Sequence, residues 1–405
     1  MMKQRQSILK KTVYFFCFLM LLVGMQSCKS GERNSPDSEG NNDTATVSDP
    51  LYKKYHLDKI KLPAGFKIEV YAEVPAARSL CISSNGTVFV GTKNSKVFAI
   101  TKNKTSGKAN KVYEIASGLT APTGVAFKNG SLFIGARSTI YRLDQIESHL
   151  DNPPKPVIVY NQYPADAHHG LRFIAFGPDG KLYVPVGAPC NICEPSKPVY
   201  ASITRINDDG TGYEVFAHGV RNTVGFDWDP VTKQIWFTEN GRDNLGDDIP
   251  GDELNMAPKE GMNFGYPYCH QGNMPDPEFG NGKNCNDYTP PAKVLHAHVA
   301  ALGMRFNTGS MFPAEYKNAI FIAEHGSWNR TIPIGYRIEV ATKDGNGNLL
   351  DPKVFAEGWL QNEKEVIGRP VDVQLIQDGS MLVSDDYNGV VYRISYNQKA
   401  MSNRQ

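Results

Sequence analysis

The sequence predicts an all-β fold, a six-bladed β-propeller with four-stranded antiparallel blades. Three observations carry this. One phrase of three apolar stretches recurs six times after residue 66. Asn-Gly or Asp-Gly dipeptides punctuate four of the six copies. Within the stretches residues alternate, as in Val391-Tyr392-Arg393-Ile394, with the period of a strand and not of a helix.

In order, the phrase opens at 79–83, 88–91 and 97–100, and returns at 123–127, 132–136 and 140–143. The third copy is 171–176, 182–186 and 203–207; the fourth is 223–228 and 235–239 with a degenerate third piece near 253–256. The fifth is 302–306, 319–324 and 335–340, and the sixth is 371–375, 381–385 and 390–395. Asn85-Gly86, Asn129-Gly130, Asp179-Gly180 and Asp378-Gly379 supply the positive φ that tight hairpins demand. A fourth, outer strand is placed before each triplet, at 68–72, 111–115, 157–160, 213–217, 293–296 and 353–356. A lone four-stranded blade cannot hide both faces, whereas six packed radially can. A β-sandwich of equal strand count would not explain why one phrase recurs six times. Longer insertions follow blades three, four and five, and such loops are where function is expected.

Ahead of the propeller, expected over 51–397, lie a lipoprotein-type signal peptide (1–27) and a flexible linker (28–50); a short tail (398–405) follows. Lys3, Arg5, Lys10 and Lys11 precede an apolar run, 13–24, that is short for a bilayer span. Cys28 after Ser27 matches lipidation, although Met25 and Gln26 loosen the small-residue pattern; a plain signal peptide cleaved elsewhere is the alternative. Either way an oxidising compartment is expected, periplasmic or at the outer membrane of a bacterium, with membrane contact only through the lipid on Cys28. Residues 29–48, rich in Ser, Gly, Asn and Asp, read as a tether. Lys plus Arg number 43 against 42 for Asp plus Glu, which excludes a nucleic-acid binder held by a basic surface.

Of 7 cysteines, Cys17 leaves with the signal and Cys28 takes the lipid. Cys190 and Cys193 form a CxxC, and Cys269 and Cys285 share one Gly/Asn/Pro-rich loop. Two local disulfides are expected, with Cys81 a buried free thiol on a strand. A four-cysteine zinc site is the rival reading; a thioredoxin-like redox pair lacks the surrounding βαβ pattern.

Four segments fall at strand starts or insertions: 167–172 with His168 and His169, 219–222 with Arg221 and Asn222, 239–248, and 324–330 with His325, Trp328, Asn329 and Arg330. Arg369 holds a similar place in blade six. Residues just before innermost strands line the mouth of a propeller's tunnel, so these converge despite their separation in sequence. Histidine takes a proton near neutral pH and arginine grips carboxylates at two points, which suits an anionic ligand and proton transfer. The acidic loop 243–248, with Gly241 and Gly246 nearby, offers oxygen donors for calcium without EF-hand spacing. Taken singly, each could be ordinary: loop histidines, a turn-fixing Arg-Asn pair, a solvated acidic loop. Their joint placement favours function.

These stretches resemble the soluble sugar dehydrogenases that use pyrroloquinoline quinone (PQQ), and their sorbosone-dehydrogenase-like branch in particular. The resemblance runs from Leu62-Pro63-Ala64-Gly65-Phe66 to Tyr392-Arg393-Ile394. It is carried by His169-Gly170-Leu171-Arg172, the 187–193 segment, Gly219-Val220-Arg221-Asn222, 239–255, 263–267, 325–330, Gly368-Arg369-Pro370 and Ser384-Asp385-Asp386. It implies His169 as general base, with hydride passing from the same carbon to the quinone. It implies Arg221 and Asn222 on the cofactor, Arg221 steadying charge on a quinone oxygen, with Asn240 beside it and Arg369 pairing with a PQQ carboxylate. The carbonyls of Gly241 and Arg242 would hold Ca2+, a Lewis acid toward the quinone.

The chain departs from glucose-oxidising members. Where they have a lysine it offers Asn329 and Arg330; where they have Gly-Pro it has Gly241-Arg242; a second arginine is replaced by Val371. A small sugar or aldehyde is the expected substrate and a separate carrier the electron acceptor, since Glu194 after Cys193 excludes a CxxCH haem site there. The alternatives are a non-catalytic carbohydrate- or protein-binding propeller and a calcium-dependent lactonase. A lactonase would need inward carboxylates where this mouth is rich in arginine.

Overall fold

The computed structural model describes residues 49–103 and 108–397. The expected signal peptide, linker and tail, with Cys17 and Cys28, lie outside the described residues, apart from the linker's last two. Six blades of four antiparallel strands surround one tunnel, the third extended by a short parallel strand, Met262–Asn263. Blade one is Ala77–Ile82, Val88–Thr92, Val97–Lys102 and Ala109–Ala116; blade two is Gly124–Lys128, Ser131–Gly135, Ile140–Leu143 and Val157–Tyr160. Blade three is Ala175–Phe176, Leu182–Val186, Ser202–Ile206 and Glu214–His218; blade four is Phe226–Trp228, Ile235–Glu239, Gly251–Ala257 and Lys293–Ala297. Blade five is Ala301–Phe306, Ile320–Glu324, Arg337–Ala341 and Lys353–Ala356. Blade six is Pro370–Leu375, Met381–Asp385 and Val390–Tyr396, completed by Phe66–Glu73.

The last pairing corrects where the outer strands belong. Each stands before a triplet in sequence but pairs with the preceding blade. The first therefore has no earlier blade and joins the last one, antiparallel, with Phe66 opposite Tyr396. That pairing ties the two ends of the propeller together and removes an open seam.

The alternation read from the sequence becomes two cores per strand. Leu132 and Ile134 pack with Phe89 and Val97 of blade one, while Phe133 between them packs with Ile174 and Leu182 of blade three. The same interleaving joins Phe237 to Tyr183, Trp236 to Phe306, Phe321 to Val383, and Leu382 to Val90, so an apolar core fills every junction between blades. Asn129 and Gly130 take positive φ, 51° and 82°, between Lys128 and Ser131, which face each other across the hairpin.

Two strands differ from expectation. The inner strand of blade three pairs only over Ala175–Phe176, because Arg172 gives its main chain to the Thr123 hydroxyl of blade two (3.0 and 2.8 Å). The degenerate third piece of blade four is a full strand, Gly251–Ala257. Its Asp252, Glu253 and Asn255 are buried polar residues, and they hide the apolar alternation. Cys190–Cys193 and Cys269–Cys285 are disulfides and Cys81 is free on the inner strand of blade one, partly and not fully buried.

Candidate functional site

The six inner strands start at one end of the tunnel, and residues at those starts touch in a closed circuit. Ser79 N donates to the Thr123 carbonyl (3.3 Å), whose hydroxyl donates to the Arg172 carbonyl (2.8 Å). Arg172 Nη1 donates to the His169 carbonyl (3.1 Å). His169 Nδ1 meets the Ala188 carbonyl (2.8 Å), and Ala188 N donates to the Arg221 carbonyl (2.8 Å). Asn222 Nδ2 donates to Asn240 Oδ1 (3.1 Å), and Asn240 Nδ2 to the Ala301 carbonyl (2.8 Å). His325 N donates to the Ala300 carbonyl (3.0 Å); its Nε2 lies 2.8 Å from Asp386, which also accepts Arg78 Nη1 (2.9 Å). Arg78 precedes Ser79, and the ring closes.

His169 occupies the left-handed region at φ 47°, which few side chains adopt and which recurs at functional sites. A carbonyl can only accept, so Nδ1 carries the proton toward Ala188 and Nε2 keeps a bare lone pair. Burial, then the charge of Arg221, pulls its pKa down to about 3, so the ring is neutral at ordinary pH. Its neighbour His168 is exposed, with ring centroids 4.1 Å apart. A Cβ at Gly187 would lie 2.5 Å from the His169 Cβ and 2.9 Å from Asn222 Oδ1, so only glycine admits both side chains.

Arg221 is buried beside them. Its Nε donates to the Asn191 carbonyl (2.8 Å), Nη2 to Asn191 Oδ1 (2.8 Å) and Asp243 Oδ2 (3.3 Å), and Nη1 to the Asn240 carbonyl (3.1 Å). Its amide donates to Glu239 (2.6 Å). Glu239 and its cross-strand partner Glu253 share the Asn255 amide (3.1 and 2.9 Å), and burial, followed for Glu239 by their mutual repulsion, raises both carboxyls, Glu253 to about 7.

Asp252 bridges the next loop to blade five, accepting Gly241 N and Ala301 N (3.0 Å each). Among the described residues no hydrogen bond reaches the carbonyls of Gly241 or Arg242. The Arg242 guanidinium is turned away, onto Asp276 (2.6 Å) and Glu278 (2.9 Å). The acidic carboxylates of the loop face protein partners: Asp243 faces Arg221, Asp247 accepts Thr331 N, and Asp248 accepts Arg330 (3.1 Å).

Arg330 is thus engaged with the acidic loop, donating also to the Asp247 carbonyl. Arg369 donates to the carbonyls of His325 (3.0 Å) and Gly326 (2.9 Å) and lies 5.4 Å above the Tyr336 ring. Among the described residues, Asn329 Nδ2, Arg78 Nε and Arg137 Nε are buried donors that meet no acceptor, and Arg137 packs against Gly170. Arg78 and Arg137 are site residues that the sequence did not single out, and the pairing of His325 with Asp386 was not expected. Aligning the repeats by register sets Arg78 opposite Val371 and Arg369 opposite Ala76, so no repeat signal pointed to Arg78.

A second polar cluster, His296, Glu324 and Glu339, is occupied by Arg337, which lies 2.7 Å from each carboxylate and 3.3 Å from His296 Nδ1. At the opposite end of the tunnel, where inner strands finish, a cavity of about 690 Å3 is lined by Asp227, Trp228, Lys233, Arg305 and Gln374. It holds no histidine and none of the expected residues.

Residues 60–397 match the family described as TrAA12-like. The chain belongs to that family. A protein of Borreliella burgdorferi described as uncharacterized is 35% identical over 351 residues, 83% of this chain and 91% of that one. A pyrroloquinoline quinone-dependent sugar dehydrogenase of Hypocrea jecorina is 30% identical over 142 residues, 27% of this chain and 31% of the enzyme. Among solved structures, the Trichoderma reesei Carbohydrate-Active Enzymes Family AA12 protein gives TM-score 0.72 at 20% identity, covering 84% of this chain and 98% of its own. The holo PQQ domain of Coprinopsis cinerea pyranose dehydrogenase gives 0.70 at 18%, covering 83% and 97%. These likenesses in structure establish the fold. Relatives and neighbours of the TrAA12-like chain thus include PQQ-dependent sugar dehydrogenases, as the sequence reading expected at that level.

Proposed function

We propose that this chain oxidises a sugar or sugar-derived aldehyde with bound PQQ and Ca2+, with His169 as general base. The observation that carries the reading is a neutral imidazole at the tunnel mouth, Nδ1 pinned by Ala188 and Nε2 bare, beside a buried arginine. The donors suit the cofactor. Orphaned Asn329 Nδ2, Arg78 Nε and Arg137 Nε want acceptors, and a tricarboxylate supplies them. The carbonyls of Gly241 and Arg242 suit a hard cation, and Arg221, Asn222, Asn240, Arg330 and Arg369 would surround the quinone.

PQQ, when bound, supplies the acceptor for the hydride that leaves the substrate carbon. His169 Nε2 would take the proton of the hydroxyl borne by that same carbon, an aldehyde reacting as its hydrate, and the Ala188 carbonyl would stabilise the imidazolium through Nδ1. Arg221, held by Asn191 and Asp243, would set its positive charge beside the group that gains negative charge. The 187–193 segment supports a place beside the sorbosone dehydrogenases. Electrons leave to a separate acceptor, and a lipid on Cys28 would hold the enzyme at a membrane outside the cytoplasm.

Purified protein given PQQ and calcium is expected to acquire quinone absorbance and to reduce a dye with some aldose or aldehyde. His169→Ala should keep the cofactor and lose roughly 10²–10⁴-fold in turnover. Absence of any bound PQQ would overturn the reading; binding without turnover on any sugar or aldehyde would favour a binding propeller.

A further inference from the structure

We infer that Asn191, closed into a four-residue ring by the Cys190–Cys193 disulfide, is the positioning residue that locks Arg221 and the 241–243 loop into one unit. The inference rests on the PQQ reading above.

Asn191 makes four hydrogen bonds, two in each direction. Toward Arg221, its carbonyl accepts Nε (2.8 Å) and its Oδ1 accepts Nη2 (2.8 Å). Toward the loop, Oδ1 also accepts Asp243 N (2.9 Å), and Nδ2 donates to the Asp243 carbonyl (3.2 Å). The side-chain amide therefore pairs with the Asp243 main chain as a neighbouring strand would, directly after the two carbonyls assigned to calcium. One residue thus sets both the buried guanidinium and the loop whose carbonyls would hold the ion. Asparagine is neutral, so its two-point grip adds no negative charge beyond the Asp243 carboxylate already 3.3 Å from Nη2.

The ring around it is built for the same end. A disulfide closing so short a loop constrains little of the unfolded chain, so its effect is local. Tyr266 OH accepts Cys193 N (3.1 Å) and lies 3.4 Å from Cys190 Sγ, fixing the ring from outside. Three and two residues before Cys190, Gly187 packs on His169 and Ala188 holds its Nδ1. One short segment thus templates the base, the arginine and the cation loop. Positioning contacts of this sort carry weight comparable to the ligands they orient.

The test measures PQQ affinity by equilibrium titration at several calcium concentrations, for wild type, Asn191→Ala and Cys190→Ser/Cys193→Ser, with turnover read separately. Asn191→Ala is expected to weaken PQQ binding about 10–100-fold and to raise the calcium needed for half-saturation, with sugar KM unmoved and kcat lowered. The double serine variant, which leaves Cys269–Cys285 intact, should shift both in the same direction by less. Far-ultraviolet circular dichroism and the thermal midpoint establish that each variant folds, and the serine pair serves if the alanine variant does not. If both folded variants bind PQQ and calcium like wild type, the inference fails. If wild type binds no PQQ, it is the functional reading that fails, a separate outcome.

Discussion

His169 Nδ1 lies 2.8 Å from the carbonyl of Ala188, and this contact decides which nitrogen of the ring is free. Burial and Arg221 hold the imidazole pKa down to about 3, below the ordinary 6.5. A histidine with a depressed pKa favours the folded state above its unfolded value, and that contribution is lost as pH falls from 6.5 toward 3. The base should therefore remain competent at acidic pH. A kcat/KM profile of the holoenzyme is expected to keep its acid limb below pH 6.5; a limb centred at an ordinary histidine value would refute the environment described.

Gly187→Ala should disable the site while sparing the fold. The new Cβ would stand 2.5 Å from that of His169. A displacement of about 1 Å in a reacting group costs on the order of 10²-fold in rate. Turnover is expected to fall by about that factor with little change in urea midpoint, and an unaltered kcat would show that the ring moves aside freely.

Asp386 joins blade six to blades five and one by accepting His325 and Arg78, and both side chains of the Arg78–Asp386 pair are 5% exposed. Burial pushes the Asp386 carboxyl up, but His325 and Arg78 outweigh it and hold it well below the usual range. Asp386→Ala leaves a buried arginine unpaired and should cost about 3–5 kcal/mol in urea denaturation. The wild-type contribution is present above the unfolded aspartate pKa and declines as pH falls below it, so the gap between wild type and variant should narrow in acid.

Glu253 gives the opposite slope. Burial raises its carboxyl to about 7. A raised carboxyl contributes stability below its unfolded pKa near 4.5 and loses it as pH climbs through 7. The thermal midpoint is expected to fall between pH 5 and pH 8, and Glu253→Gln should flatten that fall. An equal slope in the variant would place the titration elsewhere.

The repeat, the hairpin turns and the period-two alternation are local properties, so six blades were legible in the chain before any contact was known. So were His169, Arg221, Asn222, Asn240 and Arg369, because each sits at the start or insertion of a recognisable strand. Contacts between distant positions are another matter. That the strand at Phe66 completes blade six, that Arg78 meets Asp386 308 positions away, and that Arg330 turns onto the acidic loop follow from how blades pack. Blade four's third strand looked degenerate for the same reason: its buried Asp252, Glu253 and Asn255 meet partners from other segments. Periodicity reports which face of a strand is buried, whereas the partner of a buried polar group is chosen by neighbours that only the closed ring brings within hydrogen-bonding distance.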